Sequence, residues 1–126
     1  MVGAGLPRDA RLRQAADFAA LRHATGRARG RFFMLRYGVG LAGTVRMGMA
    51  VSRRVSTRAV ERNRIKRQIR ESYRRRRAAL PPVDILVIAH RDACGQPASV
   101  LRQDLEALWS RVKPLKDTPA TGTMKD

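Results

Sequence analysis

The chain has 126 residues, enough for one domain with a single modest core. Its 27 Lys and Arg face only 10 Asp and Glu, a net charge of +17, while 44% of residues are hydrophobic, which favours folding over disorder. Small size, one cysteine and scarce acids exclude a multidomain enzyme, a disulfide scaffold and a carboxylate-rich active site.

In chain order, residues 14–24 are Ala-rich and predict a short helix with Phe18 and Leu21 on one face. Gly26 and Gly30 break it, and Arg27, Arg29 and Arg31 read as a basic linker. Residues 31–37 predict a strand. Phe33, Leu35 and Tyr37 point to a core, and Phe32, Met34 and Arg36 lie on a mixed face. Residues 38–43 spell G-x-G-x-x-G, but between two strands this reads as a flexible hairpin, not a dinucleotide turn. Residues 45–51 predict a second strand, with Met47, Met49 and Val51 on its apolar side. Arg46, Gly48, Ala50 and Ser52 make the other side basic and small.

From Val60 no Gly or Pro interrupts the chain until Pro81 and Pro82, so a long helix is expected there. Residues 83–90 are rich in β-branched side chains and predict a strand buried on both faces. Pro97 opens a last helix, to about Lys113. Its apolar stripe is Val100, Leu101, Leu105, Leu108, Trp109 and Val112. Residues 1–10 read as a flexible start and 114–126 as a disordered tail around a domain spanning 11–113.

Residues 52–77 hold twelve Arg or Lys against Glu61 and Glu71, a net of +10. At about 100° per residue, Ile65, Ile69 and Tyr73 form one narrow apolar stripe. Asn63, Lys66, Arg67, Arg70, Arg74 and Arg77 fall together beside it. Arg64, Gln68, Glu71 and Arg75 fill the third side, where Glu71 is placed to bridge Arg67 and Arg75. Solvated helix faces mix signs, but this ridge has no acid. Of the 27 cations, 23 are Arg, whose planar fork grips phosphate in a way Lys does not. The ridge therefore points to a nucleic acid held by its phosphates, with RNA and DNA both open on this ground.

The string Ser52-Arg53-Arg54, followed by Ala59-Val60-Glu61-Arg62-Asn63-Arg64-Ile65-Lys66-Arg67-Gln68-Ile69-Arg70-Glu71-Ser72-Tyr73-Arg74, resembles the signature of the bacterial ribonuclease P protein component. Leu12-Arg13 with Asp17-Phe18, the segment 46–52 and the segment 84–89 resemble the family's opening helix and two of its strands, so residues 11–112 are covered. The resemblance implies an α+β fold: a small single-domain, two-layer αβββαβα sandwich with a left-handed βαβ crossover, like a ribosomal protein. The third early strand is then expected within residues 32–51, where the pattern does not place it.

It also implies a subunit of a ribonucleoprotein endoribonuclease that removes the 5′ leader of precursor tRNA. The RNA subunit performs the Mg²⁺-dependent hydrolysis, with Mg²⁺ held mainly by RNA and substrate. The expected partners are the catalytic RNA and precursor tRNA, with no membrane and no small-molecule substrate. By position, Arg62, Asn63, Arg64, Lys66, Arg67 and Arg70 carry the signature contacts, joined by Arg53 and Arg54 in the preceding loop and Arg74 farther along the ridge. Phe18, Met34 and Arg36 line the leader cleft, with Arg36 standing where the family often has an aromatic.

Other signals are weaker. His23 and His90 lack ligand spacing, Cys94 has no activating neighbour in sequence, and the carboxylates are scattered, so a protein-borne active site or metal site is not expected. The longest apolar run, 85–89, is too short to span a bilayer, and the first residues lack the order of a secretory signal, so the expected compartment is the cytoplasm. The competing reading is a non-catalytic structural RNA-binding protein of the ribosomal type, which shares the charge but has no part in tRNA processing.

Overall fold

A computed structural model describes residues 26–39 and 45–114. Their elements run β1 (Gly26–Arg29), β2 (Phe33–Val39), β3 (Arg46–Ala50), α1 (Ala59–Arg76), β4 (Val83–Ala89) and α2 (Ala98–Trp109), with 3₁₀ turns at Arg77–Ala79 and Arg91–Ala93. The opening helix expected at residues 14–24 lies outside the described residues, as do both chain ends.

The strands form one sheet in the order β1-β2-β4-β3. β1 and β2 are antiparallel neighbours, β2 and β4 are antiparallel, and β3 runs parallel to β4 with α1 as the crossover between them. The architecture is α+β. The third early strand lies upstream of where it was expected. It is β1, in the segment read as a linker. Gly26 and Ala28 turn inward and Arg27 and Arg29 outward, so the period of two is present, but in residues too small and too charged to register as a strand. β2 and β3 are not a hairpin either, because β4 sits between them.

The core is made where one face of the sheet meets the helices. Phe33, Leu35 and Tyr37 of β2, Met47 of β3, and Val83, Ile85 and Val87 of β4 are all buried. Ile65, Ile69 and Tyr73 of α1 and Leu101, Leu105, Leu108 and Trp109 of α2 close over them. The Tyr73 and Trp109 rings tilt against each other at 5.8 Å. α2 ends at Trp109, short of Lys113, because i+3 bonds from Arg111 and Val112 tighten the chain there; Val112 is still buried.

β4 is not buried equally on both sides. Its core-facing residues are sealed, while Leu86 and Ile88 on the far face are half-buried. Asp84 on that far face is buried and pairs with Arg46, its register partner on β3, through two bonds of 3.0 and 2.8 Å. A carboxylate at that depth is tolerated because the planar fork of Arg46 satisfies both oxygens.

Candidate nucleic-acid interface

The loop between β3 and α1 is held by its own side chains. Ser52 Oγ accepts the Arg54 backbone N–H at 3.2 Å, and the Val55 N–H donates to the Ser52 carbonyl at 3.0 Å. Buried Val55 anchors the turn, and Arg53 and Arg54 are left exposed on it. Ser56 Oγ accepts the Arg58 N–H at 3.1 Å, and the Arg62 guanidinium reaches back to donate to the Ser56 carbonyl at 3.0 Å. Loop and helix start are thereby one fixed cationic corner.

α1 buries Ile65, Ile69, Ser72 and Tyr73. The opposite side exposes Asn63, Arg67, Arg70 and Arg74, with Lys66 and Arg77 half-buried at its flank. Arg67 and Arg70 make no ion pair among the described residues. Like charges at this spacing repel, so an anion laid along the ridge relieves a cost that the free protein carries.

The helix is held in place by a relay to α2. Trp109 Nε1–H donates to Ser72 Oγ at 2.7 Å, Ser72 donates to Glu106 Oε2 at 3.2 Å, and Arg76 donates to Glu106 Oε1 at 2.7 Å. These four side chains satisfy one another, which fixes the rotation of α1 and so the direction of the ridge.

Two signature residues are tied into the fold. Besides the Arg62 bond, Arg64 grips Glu61 through Nε and Nη2 at 2.9 and 2.8 Å, and Nη2 also donates to the Gln96 carbonyl at 2.8 Å. The Gly95 N–H donates to Glu61 Oε2 at 2.7 Å. The Arg64 bonds and the Gly95 N–H hold the Glu61 carboxyl down at about 2, against an ordinary 4.5, and partial burial opposes them only in part. Arg64 is thus a strap between α1 and the loop after β4. The bridges expected from Glu71 to Arg67 and Arg75 are not formed; among the described residues Glu61 pairs with Arg64 and Glu106 with Arg76. An exposed i,i+4 pair is worth only about 0.3–0.5 kcal/mol, too little to fix two long side chains.

A second surface lies on the far face of the sheet. The register sets Arg27, Arg36, Leu86 and Gly48 in one row across four strands, and Arg29, Met34, Ile88 and Ala50 in the next. At its centre Met34, Leu86 and Ile88 are apolar and half-buried with half-buried Arg36 beside them, and its β1 edge is cationic and exposed. Met34 and Arg36 therefore share one face, as expected from the strand pattern. Phe18 lies outside the described residues.

Sequence reasoning missed Asp104. Its carboxylate accepts the backbone N–H groups of Arg31 and Phe32 at 2.9 Å and of Phe33 at 3.1 Å, which fixes the β1–β2 turn to α2. Nothing in the spacing of α2 signals this, because the donors are backbone groups 71 to 73 residues away. Among the described residues, no three His, Cys, Asp or Glu side chains gather where they could hold a metal ion, and no helix is long and apolar enough to cross a membrane.

The Ribonuclease P family profile matches residues 6–113. The ribonuclease P protein component of Chromohalobacter salexigens is 34% identical over 110 residues, covering 86% of each chain. That of Bordetella petrii is 35% identical over 123 residues, covering 90% of this chain and all of its own. Among solved structures, a mutant of the Staphylococcus aureus RNase P protein superposes with a TM-score of 0.75 at 27% identity, over 80% of this chain and 86% of that one.

Proposed function

Since the chain belongs to the family of ribonuclease P protein components, we propose that it binds the RNA subunit of that ribonucleoprotein through Arg53, Arg54, Asn63, Lys66, Arg67, Arg70 and Arg74, with Arg62 and Arg64 shaping the corner they stand on. The observation that carries this is the exposed side of α1, where Arg67 and Arg70 have no ion pair among the described residues. Each phosphate such a cation neutralises releases counterions, so binding is strong at low salt and falls as salt rises.

The far face of the sheet is proposed to hold the single-stranded 5′ leader of precursor tRNA, with Met34 and Arg36 in its floor; Phe18 is proposed to contact the same leader. A half-buried apolar strip beside a row of arginines suits a strand that stacks its bases on one side and lays its phosphates on the other. The protein's part is electrostatic and positional. It lowers the repulsion between two polyanions, catalytic RNA and substrate, and holds the leader in line.

Mg²⁺ supplies Lewis-acid chemistry to the cut and is proposed to sit on RNA and substrate. Among the described residues no three acids, His or Cys gather to hold it, and four of the acids are committed elsewhere: Asp84 to Arg46, Glu61 to Arg64 and Gly95, Asp104 to three backbone N–H groups, and Glu106 to Arg76 and Ser72. The setting proposed is the cytoplasm, where precursor tRNA is made.

The test is the salt dependence of RNA binding. Arg67→Ala and Arg70→Ala are each expected to weaken binding and to reduce the slope of log K against log salt by about one. Unchanged slopes in both variants would remove the ridge from the interface.

A further inference from the structure

An open cavity of about 590 Å³ lies at one end of the sheet, apart from the exposed side of α1 and from the sheet's far face. Two connections meet there, and a third leaves the sheet at the same end. The β1–β2 turn brings Arg31 and Phe32, the turn after β4 brings Arg91, Asp92, Cys94 and Gln96, and the β3–α1 loop with Arg53 and Arg54 leaves the sheet at the same end. The His90 N–H donates to the Phe32 carbonyl at 2.8 Å, which joins the first two. The Glu61–Gly95 and Arg64–Gln96 bonds join the second to α1.

The walls have a definite chemistry. The Arg31 guanidinium carbon stands 5.5 Å from the centroid of the buried Phe32 ring, a cation–π contact that makes the exposed guanidinium a shelf. The backbone beneath that shelf is fixed by Asp104. Arg31 and Arg91 are exposed and make no ion pair among the described residues. The nearby carboxylates of Asp104 and Glu61 are consumed internally, and among the described residues only Asp92 brings an acid to the wall. Gln96 and Asp92 offer both donor and acceptor atoms. The volume falls within the range of about 300–1,000 Å³ typical of small-ligand sites.

A cationic shelf, a second guanidinium and a mixed polar edge match the face of a base, a phosphate and the edge of a base. We propose that this cavity holds one splayed nucleotide of a single-stranded RNA segment. Its base stacks on the Arg31 guanidinium held over Phe32, its phosphate lies with Arg91, and its base edge meets Gln96 and Asp92. The cavity extends the cationic corner around the sheet end. The inference rests on the RNA-binding reading above, and the segment belongs either to the RNA subunit or to precursor tRNA.

Cys94, the only cysteine in the chain, is exposed and stands in the cavity wall, so it reports on occupancy. The full-length protein is treated with neutral iodoacetamide alone, with the RNA subunit, and with leader-bearing precursor tRNA, while binding is followed separately. With RNA at about ten times its Kd, one of the two RNAs is expected to slow Cys94 alkylation about tenfold. Which one does so identifies the source.

An Arg31→Gln, Arg91→Gln double variant is expected to keep ridge-driven binding but lose the protection. Fluorescence of buried Trp109 checks that it is folded. Alkylation at the free rate in complexes saturated with either RNA overturns the nucleotide site and leaves the ridge standing. So does protection that survives in the double variant. Failure to bind either RNA overturns both readings.

Discussion

Glu61 is an acid in the most cationic stretch of the chain, and its fixed partners explain why it is there. Two bonds from Arg64 and one from the Gly95 N–H hold its carboxyl at about 2. A carboxyl held below its ordinary 4.5 stabilises the fold above that pH, and the contribution fades as pH falls toward about 2. Glu61→Gln is expected to lose about 1 kcal/mol at pH 7, a modest figure because the pair is partly exposed. Denaturant melts from pH 7 to pH 2 check this: the gap between wild type and variant should close through the acid range. Asp104 acts at the same scale. Asp104→Ala strips the acceptor from three backbone N–H groups, and a loss of about 2 kcal/mol in urea unfolding is expected. Sequence pattern placed the cations of the ridge because spacing alone decides a helix face. It gave no hint of Asp104, whose three donors are backbone groups distant in the chain.

Among the elements, α1 and β4 were legible because each carries a long, uninterrupted pattern: helical spacing of Ile65, Ile69 and Tyr73, and a β-branched run. β1 was not. Its glycine looked like a breaker, yet a Cβ at Gly26 would collide with the ring of Tyr37, its register partner on β2. The glycine is there for close approach inside a strand. Gly26→Ala is expected to cost about 1–3 kcal/mol by overpacking against buried Tyr37, read as a lower melting temperature, and a Gly26→Ala, Tyr37→Leu pair should recover part of it. The connection from β2 to β3 was misread for a different reason. A glycine-rich loop between two strands suggests a hairpin, but pairing partners are a non-local property, and β4 takes the place between them.

The whole molecule divides its labour by face. One side of the sheet carries the core, the far side carries a half-buried apolar strip edged by arginines, and α1 turns its stripe inward and its ridge outward. The strap through Arg64, the Arg62 bond to Ser56 and the relay through Ser72 and Glu106 make the ridge a fixed surface. The chain's net charge of +17 suits a ribonucleoprotein, in which RNA phosphates offset it. The most direct measurement is cleavage of leader-bearing precursor tRNA at limiting Mg²⁺ by the RNA subunit alone, by the protein alone and by the two together. Efficient cleavage only by the pair is the expected result. Cleavage by the nuclease-free protein alone, or no gain on adding it to the RNA, would contradict a protein that works by charge and position around an RNA catalyst.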